Sequence, residues 1–491
     1  MKNRLKDYGN QVFNEYIKYR PTSSSIKPVH IANGLFRLIT GESYSVEALN
    51  EWIIRWKQGK EISSATEIRE KYHQAFDESN FDDDEINKLR HFLNIIFNAD
   101  NAAFPSANNT VLTISSKRQV RSSVQLEANI NNFLYNLLSK EINGKPSPCL
   151  ELIKVALDNE NDDLSRIAVP LTNYARKNSI EQQKNASSYM LEGVEVRLRK
   201  SFDMLAENEK ITGNKLLTLE RVIIFGCFVV INHLSSKVLD LSERYTPSER
   251  VPMLFNADGS LGAVKFASEE TLLIAKLMIE EFFEKGLEEV LKLEHYDRFT
   301  HEEILDRIDK IRMEESSKKT TDRQDEDEKR KSYKALYLGY YEQNKEPFQA
   351  FIKATRFKLF ADEYPTDPTR FITSLGGRIA LLTPRAQGAG RKRYSPDPLI
   401  LEIILYTILD SNKRLTLSEF GYELWERYGI IIGANPEMDF EILTKWKVSQ
   451  ITPGDLAGEL ARNAEKIADV LISMGYGKRY ADGVTVVYLR R

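Results

Sequence analysis

Cysteine is nearly absent from this sequence. Only Cys149 and Cys227 occur among 491 residues, and they lie far apart along the chain. A disulfide framework needs a higher density of cysteine, so the sequence predicts none, and we expect the protein in a reducing cytoplasm. Cys227 lies within the apolar stretch VIIFGCFVVINHL, which predicts a buried and unreactive thiol.

Long apolar runs are also missing. The longest, from Val222 to Leu234, is shorter than the roughly 20 residues that span a bilayer, and it contains Asn232 and His233. The N-terminal segment MKNRLKDYGNQVFNEYIKYR lacks the apolar core of a signal peptide. We therefore expect no membrane partner, and we interpret the apolar run as a buried core element.

An excess of charge of one sign is lacking as well. The chain has 69 Lys and Arg against 72 Asp and Glu, which gives a formal net charge of -3. The field of the whole molecule therefore does not indicate a polyanionic partner, and any contact with nucleic acid has to come from a local patch. A hydrophobic content of 42% and an aromatic content of 10% are typical of a packed globular protein.

Catalytic signatures are missing too: the sequence has no H-E-x-x-H, C-x-x-C, G-x-S-x-G or Walker A pattern. In the stretch HYDRFTHEE, His295, Asp297 and His301 are candidate metal ligands. Thr300 followed by Glu303 instead has the spacing of a helix capping box, so we expect a structural role. We predict no catalytic residue, no metal site and no cofactor. An enzyme with a metal site built from dispersed acidic residues, such as a nuclease, remains an alternative.

The sequence predicts a mainly α fold with several domains. Apolar residues recur at three- and four-residue spacings, as in DDDEINKLRHFLNIIFN, and the acids from Asp82 to Glu85 are typical of a helix N-terminus. The segment MEESSKKTTDRQDEDEKRK has almost no apolar side chain and predicts a charged linker or an exposed helix. The predicted units are an N-terminal helical domain (1–122), a central helical domain (123–312), that charged segment (313–331), a helical connector with a basic glycine-rich loop (332–395) and a C-terminal module (396–491).

The C-terminal module has three predicted helices, DPLILEIILYTILD, TLSEFGYELWERYG and DLAGELARNAEKIADVLISMG, and it ends in YGKRYADGVTVVYLRR. Asp482-Gly483 is a strong turn signal, so the end predicts a β-hairpin. Three helices followed by a hairpin resemble a winged helix-turn-helix module. However, residues 396–491 contain 14 acids against 11 bases, and the third helix is acidic, which is unfavourable for a strong duplex binder. Lys478 and Arg479 supply positive charge at the start of the predicted wing.

The stretch RIALLTPRAQGAGRKRYSPDP, from Arg378 to Pro398, holds five cations and no acid before Asp397. It begins with a predicted strand, RIALL. Glycine lets the backbone approach a phosphate closely, Arg and Lys neutralise it, and a tyrosine ring can stack on a base. The stretch lacks the fixed spacing of a Walker A loop, so we expect contact with a nucleic-acid backbone rather than nucleotide binding. The alternative is a solvated linker whose cations pair with acids of the neighbouring domain.

A second basic loop, SSKRQVRSS, contains Lys117, Arg118 and Arg121 and is a candidate to share a groove with the first. The predicted nucleic-acid-binding residues come from the longer basic stretch and from the wing. They are Arg378, Arg385, Arg391, Lys392, Arg393, Tyr394, Lys478 and Arg479.

The string GGRIALLTPRAQGAGRKRYSPDPLILEIILYTIL, followed further on by LTLSEFGYELWERYGIIIG, is similar to the C-terminal part of bacterial proteins encoded in phage-defence gene clusters. The resemblance covers about the last quarter of the chain, from Gly376 onward. It implies a helical accessory subunit with partner subunits such as an ATPase or a nuclease. The expected function is a non-catalytic subunit of a bacterial cytoplasmic DNA-targeting, anti-phage complex that docks partners and contacts the DNA backbone. A winged-helix transcriptional regulator is a further alternative.

Overall fold

The structure is a computed structural model that describes residues 4–45, 64–71, 82–99, 117, 120, 125–158, 173–177, 191–313, 322–385, 390–410, 412–448 and 453–489. Within these ranges the chain is mainly helical with a few short strands, which confirms the mainly α character that the sequence predicted. The N-terminal part comprises α1 (Leu5–Gln11), a π-helical turn (Val12–Ile17), α2 (Pro28–Thr40), β1 (Glu42–Ser45), α3 (Ala65–Lys71), α4 (Asp83–Ala99), a 3-10 turn (Gln125–Glu127), α5 (Ile130–Ser139), α6 (Pro148–Leu157) and β2 (Asn173–Lys177).

The central part is built around one buried helix. It comprises α7 (Val194–Thr212), α8 (Lys215–Ser236), α9 (Val238–Leu241), β3 (Met253–Leu254), α10 (Gly262–Lys292), a 3-10 turn (Tyr296–Arg298) and α11 (His301–Lys310). Among the described residues, Lys215–Leu241 is the one stretch long and apolar enough to cross a membrane. Because 94% of its most apolar window is buried inside the protein, we interpret it as the core element that the sequence predicted. Cys149 and Cys227 are both buried and unpaired with each other, and burial raises the pKa of each thiol.

The connector comprises α12 (Asp322–Asn344), α13 (Pro347–Lys358), a π-helical turn (Leu359–Glu363), α14 (Pro368–Arg378), β4 (Leu382–Thr383) and β5 (Arg393–Tyr394). From Asp322 onward the charged segment is helical, and its residues 326–331 are half-buried or exposed. Within it Arg330 pairs with Glu326 at 3.0 Å; residues 314–321 lie outside the described residues. The strand predicted over RIALL is wrong in its position. Arg378 ends α14, and the strand begins only at Leu382.

The C-terminal part comprises α15 (Pro398–Ile408), β6 (Arg414–Thr416), α16 (Leu417–Tyr428), β7 (Ile430–Ile431), α17 (Pro436–Lys445), α18 (Pro453–Ser473), β8 (Gly477–Arg479) and β9 (Thr485–Tyr488). Strands β6, β9 and β8 form a three-stranded antiparallel sheet in that order. The hairpin predicted at Asp482-Gly483 is confirmed, and Gly483 has a φ of 85°, a left-handed conformation that favours glycine.

Helix termini predicted from the sequence are confirmed by their hydrogen bonds. The backbone N–H of Glu85 donates to Asp82 at 2.8 Å, and the N–H of Glu419 donates to the Thr416 hydroxyl at 3.2 Å. Gly429 ends α16 with a φ of 74°, and a Cβ there would lie 2.1 Å from the carbonyl oxygen of Val251. Only glycine fits this helix end, because both the backbone conformation and the close neighbour exclude a side chain.

The C-terminal part is packed into the rest of the molecule. Parallel pairing of β3 with β7 places Met253 beside Ile430, so residues far apart in sequence share one small sheet. One hydrophobic cluster extends from Leu5 to Val487 and includes residues from each predicted helical unit. The division into domains stays a prediction.

Candidate functional site

Helix α14 carries two faces of opposite character. Its apolar residues Phe371, Ile372 and Leu375 are buried, with 1%, 0% and 1% of their surface exposed. Residues spaced by three and four positions lie on the same side of a helix, so the polar members of α14 line up on the other face. That face consists of Arg370, Thr373, Ser374, Gly377 and Arg378.

The polar face of α14 forms one wall of a cavity of about 740 Å³. We call this cavity the basic pocket. It is lined by five cationic side chains that come from α10, from α14 and from the basic glycine-rich loop, and by hydroxyl groups and Gly377. No Asp or Glu is among the described lining residues. The five cations are Lys276, Arg370, Arg378, Arg385 and Lys392.

A segment near the N-terminus closes the pocket on one side. We call residues 21–26 the strap. The carbonyl of Ser24 accepts hydrogen bonds from Nη2 of Arg378 at 2.9 Å and from the hydroxyl of Ser374 at 3.0 Å. The N–H of Ser24 donates to the hydroxyl of Thr366 at 3.3 Å. These bonds fix the strap to α14, while Nε of Arg378 is buried without a hydrogen-bond partner among the described residues.

Burial, with a smaller contribution from neighbouring cations, lowers the pKa values of two lysines in the pocket. Burial lowers the pKa of Lys276; the nearby Asp367 acts in the opposite direction, and the charge of Arg370 lowers it further. Burial also lowers the pKa of Lys392, and Lys276 contributes to that shift. A cation whose pKa is lowered is held in a place that disfavours its charge. A bound anion would relieve this cost, so the arrangement suits a negatively charged ligand.

The positive field extends behind the strap to the start of α2. The pKa of Lys27 is lowered by burial and by the charge of Arg378. Burial, followed by the charges of Lys27 and Arg378, lowers the pKa of His30 to about 4, so His30 is neutral at pH 7. No pattern in the sequence indicates that Lys27 and His30 lie near Arg378, because about 350 residues separate them along the chain.

No carboxylate is among the described lining residues, but carboxylates pair with several of the basic side chains, and Nε of Arg370 lies 3.2 Å from Asp367. Arg385 lies 3.3 Å from Asp397, and its side chain is 65% exposed. Arg391 lies 3.9 Å from Glu270, and its side chain is 73% exposed. Exposed ion pairs of this kind contribute roughly 0–1 kcal/mol. The loop cations therefore do pair with neighbouring acids, but these ion pairs are weak enough for a phosphate to replace the carboxylate.

The structure brings three of the eight predicted residues into the pocket: Arg378, Arg385 and Lys392. Successive side chains of an extended segment point to opposite sides. Arg393 accordingly points away from Lys392, and its Nε donates to the side chain of Asn256 at 3.2 Å. Arg391 lies outside the described lining.

The expected role of Tyr394 in stacking on a base does not fit its position. Its side chain is 0% exposed, and burial raises the pKa of its hydroxyl. The N–H of Tyr394 donates to the hydroxyl of Ser268 at 3.0 Å, and its carbonyl accepts from the N–H of Asn256 at 2.8 Å. Tyr394 is a core residue that anchors the end of the basic loop to the central part of the fold.

The residues of the predicted wing, Lys478 and Arg479, do not line the basic pocket. On β8, Nζ of Lys478 lies 5.1 Å from the ring centre of Tyr480, and Arg479 pairs with Asp469 at 2.9 Å.

In the second basic loop, Lys117 pairs with Asp158 at 2.6 Å and lines a different, smaller cavity. Arg118 and Arg121 lie outside the described residues.

The helix that the sequence predicted as the third of the C-terminal module is α18, the fourth in the structure because α17 precedes it, and it packs against the body of the protein. The carboxylate of Glu459 accepts hydrogen bonds from the N–H groups of Ala263 and Val264, at 2.7 and 3.1 Å, at the start of α10. Asn463 is 0% exposed, and its side chain donates to the carbonyls of Phe255 and Ile432. These contacts occupy one face of α18, so that face is not available to a DNA groove.

The histidine cluster has structural partners. Thr300 and Glu303 form the predicted capping box, with the N–H of Thr300 donating to Glu303 at 2.7 Å. His301 lies 2.9 Å from the hydroxyl of Tyr337 and stacks on Tyr341 at a ring-centre distance of 4.0 Å. Within the described ranges no three His, Cys, Asp or Glu residues come together in a way that could hold a metal ion.

Sequence reasoning missed Lys276 and Arg370. The spacing of Arg370, Thr373, Ser374, Gly377 and Arg378 could have revealed the polar face of α14. No adjacent cation in the sequence marked Lys276, which lies in the middle of the long helix α10; it joins the pocket only through residues distant in sequence. Comparisons with protein-family models, curated proteins and solved structures found no match to this chain.

Proposed function

We propose that this protein is a non-catalytic subunit that binds DNA through its phosphates, and that the basic pocket is the binding site. The observation that carries the proposal is the convergence of five cations, with no carboxylate among the described lining residues, on one cavity of about 740 Å³. Guanidinium and ammonium groups form strong, charge-assisted hydrogen bonds with phosphate oxygens. Hydroxyl groups on α14 and Gly377 add further donors and room for close approach.

We further propose that the C-terminal part is a winged-helix module. The order of α15, β6, α16, α18, β8 and β9, with β6 pairing to β9, supports this assignment. Because one face of α18 is occupied by protein contacts, the module serves mainly as an architectural element that holds the basic loop against α10 and α14. The same contacts disfavour a transcriptional regulator that reads bases with α18.

The place of the protein in a bacterial cytoplasmic anti-phage complex rests on the resemblance of its last quarter to proteins of phage-defence gene clusters. In that setting the chain would position DNA for partner subunits such as an ATPase or a nuclease. Its own contribution is binding rather than chemistry. Isolation of the protein from its native host with its partners attached, followed by their identification, tests this part of the proposal.

The DNA-binding proposal is tested with a matched pair of variants. The pocket variant carries Lys276→Ala, Arg370→Ala and Lys392→Ala; the control variant carries Lys200→Ala, Lys265→Ala and Lys331→Ala, which removes the same charge from exposed sites elsewhere. We expect the pocket variant to lose most of its affinity for labelled DNA and the control variant to keep it. Equal loss in both variants would mean that net charge, not the pocket, drives binding.

A further inference from the structure

A second cavity shares a wall with the basic pocket. It measures about 610 Å³, and we call it the asparagine pocket because four asparagines line it. Pro365 lines both cavities, and the adjacent strap residues Ser23 and Ser24 line one cavity each. Consecutive Cα atoms are about 3.8 Å apart, so at Ser23 and Ser24 only the width of the strap separates the two pockets. The four asparagines are Asn10, Asn129, Asn131 and Asn132.

The four asparagines contribute no side-chain hydrogen bond to the described part of the fold, although Asn131 packs closely against Gly34 of α2. In the part of the chain that the structure describes, no hydrogen bond involves the side-chain amide of any of the four. Asn131 is only 4% exposed, yet it lines the cavity. Buried polar groups are nearly always hydrogen-bonded, and a carboxamide offers both donors and an acceptor. The pocket is therefore equipped for a neutral ligand that presents donors and acceptors side by side.

The charges of the asparagine pocket do not repel a nucleic acid. Glu127 is the one acid among its described lining residues, and Arg37 neutralises it in a buried pair. The Nη1 atom of Arg37 donates to Glu127 at 2.7 Å, and Asn33 donates to the same carboxylate at 2.9 Å. Lys6 and Arg20 also line the cavity and leave it with a positive balance.

We propose that the two pockets form one site for an unpaired stretch of a DNA strand, with phosphates in the basic pocket and a base in the asparagine pocket. This inference rests on the proposed function and names the form of DNA that is bound. In a duplex, each base is stacked and its pairing edge is used, so it cannot enter a cavity beside its own phosphate. A base in a single strand is free to turn outward and to be read by side chains on its edges.

The chemistry of the two pockets fits this division of the ligand. An asparagine amide matches the adjacent donor and acceptor on the edge of adenine. Cations and hydroxyls on the other side of the strap match the phosphodiester oxygens. Phe13 and Tyr364 line the asparagine pocket but are only 1% and 8% exposed, so hydrogen bonding rather than ring stacking provides most of the recognition.

The test compares three labelled probes: an oligodeoxyadenylate strand, an abasic strand of the same length and a duplex of the same length. We expect the wild-type protein to bind the adenylate strand about tenfold more tightly than the abasic strand, and more tightly than the duplex. The variant Asn10→Ala with Asn132→Ala should lose this preference and keep its affinity for the abasic strand. Asn136→Ala, one turn further along α5 and outside the pocket lining, is the matched control and should behave as the wild type.

The outcomes separate this inference from the proposed function. Equal binding of the adenylate and abasic strands by the wild type, or tighter binding of the duplex, would overturn the asparagine-pocket proposal and leave phosphate binding intact. An equal fall in affinity for both strands in the asparagine variant would also overturn it. If the pocket variant that lacks Lys276, Arg370 and Lys392 binds every probe as the wild type does, the proposed function fails instead. Thermal unfolding of each variant checks that a lost affinity does not reflect lost folding.

Discussion

Substitution of single cations distinguishes the basic pocket from the basic sequence stretch. Lys276 lines the pocket but lies far from that stretch in sequence, whereas Arg393 belongs to the stretch but points to Asn256. We expect Lys276→Ala to weaken DNA binding and to reduce its salt dependence. We expect Arg393→Ala to leave the salt dependence unchanged, because its guanidinium does not face the pocket.

The size of the effect follows from counterion release. Each phosphate neutralised by a cation contributes about 0.7 to 0.9 to the slope of log affinity against log salt concentration. If all five pocket cations contact phosphates, the wild-type slope is about -3.5 to -4.5. Loss of Lys276 removes one contact, which reduces the slope by about 0.7 to 0.9 and lowers the affinity roughly five- to eightfold near 0.1 M salt.

The assay is fluorescence anisotropy of labelled DNA over a series of salt concentrations, with unfolding midpoints of each variant as a control for folding. The reasoning is refuted if Arg393→Ala reduces the slope and Lys276→Ala does not. That result would mean that the basic stretch acts as a flexible arm and that the cavity plays no part. A slope near zero for the wild type would refute electrostatic binding altogether.

Two further predictions concern stability. Burial raises the pKa of Asp439 to about 7 although the N–H groups of Asn435 and Gly433 act in the opposite direction, so its charged form is disfavoured in the folded state. The free energy of unfolding should therefore fall by up to ~4 kcal/mol as the pH rises from about 4 to about 7. Urea unfolding should show that Asp439→Asn removes most of this pH dependence. The same pH dependence in the variant as in the wild type would contradict the prediction. The side chains of Arg37 and Glu127 are 3% and 4% exposed, so Glu127→Ala leaves a buried guanidinium without its carboxylate. Unfolding of that variant should cost about 3–5 kcal/mol less than that of the wild type, and a loss below about 1 kcal/mol would show that water or another group replaces the carboxylate.

Local features of the fold were predictable because their causes are local. The capping boxes at Thr300 and Thr416, the helix end at Gly429 and the turn at Gly483 each depend on residues within a few positions of one another. The buried character of α8 was predictable as well, since a helix that is apolar all round has no face suited to water. The strand predicted over RIALL failed because the apolar face of α14, with Phe371 and Leu375 buried against the core, carries the helix on to Arg378.

The candidate site was predictable only in part. The run of cations marked Arg378, Arg385 and Lys392 together, and the structure brings these three side chains to one cavity. The same stretch also suggested Tyr394 as a binding residue. A tyrosine next to basic residues in sequence can lie either at the surface or in the core, and here Tyr394 is buried in the core. Composition shows which residue types are present, and it does not show to which side of an extended segment each one points.

The amino-acid sequence by itself determined a mainly helical protein with a buried apolar helix, capped termini, a C-terminal hairpin and a local excess of positive charge before α15. Only the tertiary structure decided which other residues lie next to that positive charge. Lys276 on α10, Arg370 on α14 and the strap at Ser24 meet the basic loop because long-range packing of apolar faces brings their helices together. Such packing depends on contacts between residues hundreds of positions apart, and no short pattern in the chain encodes it.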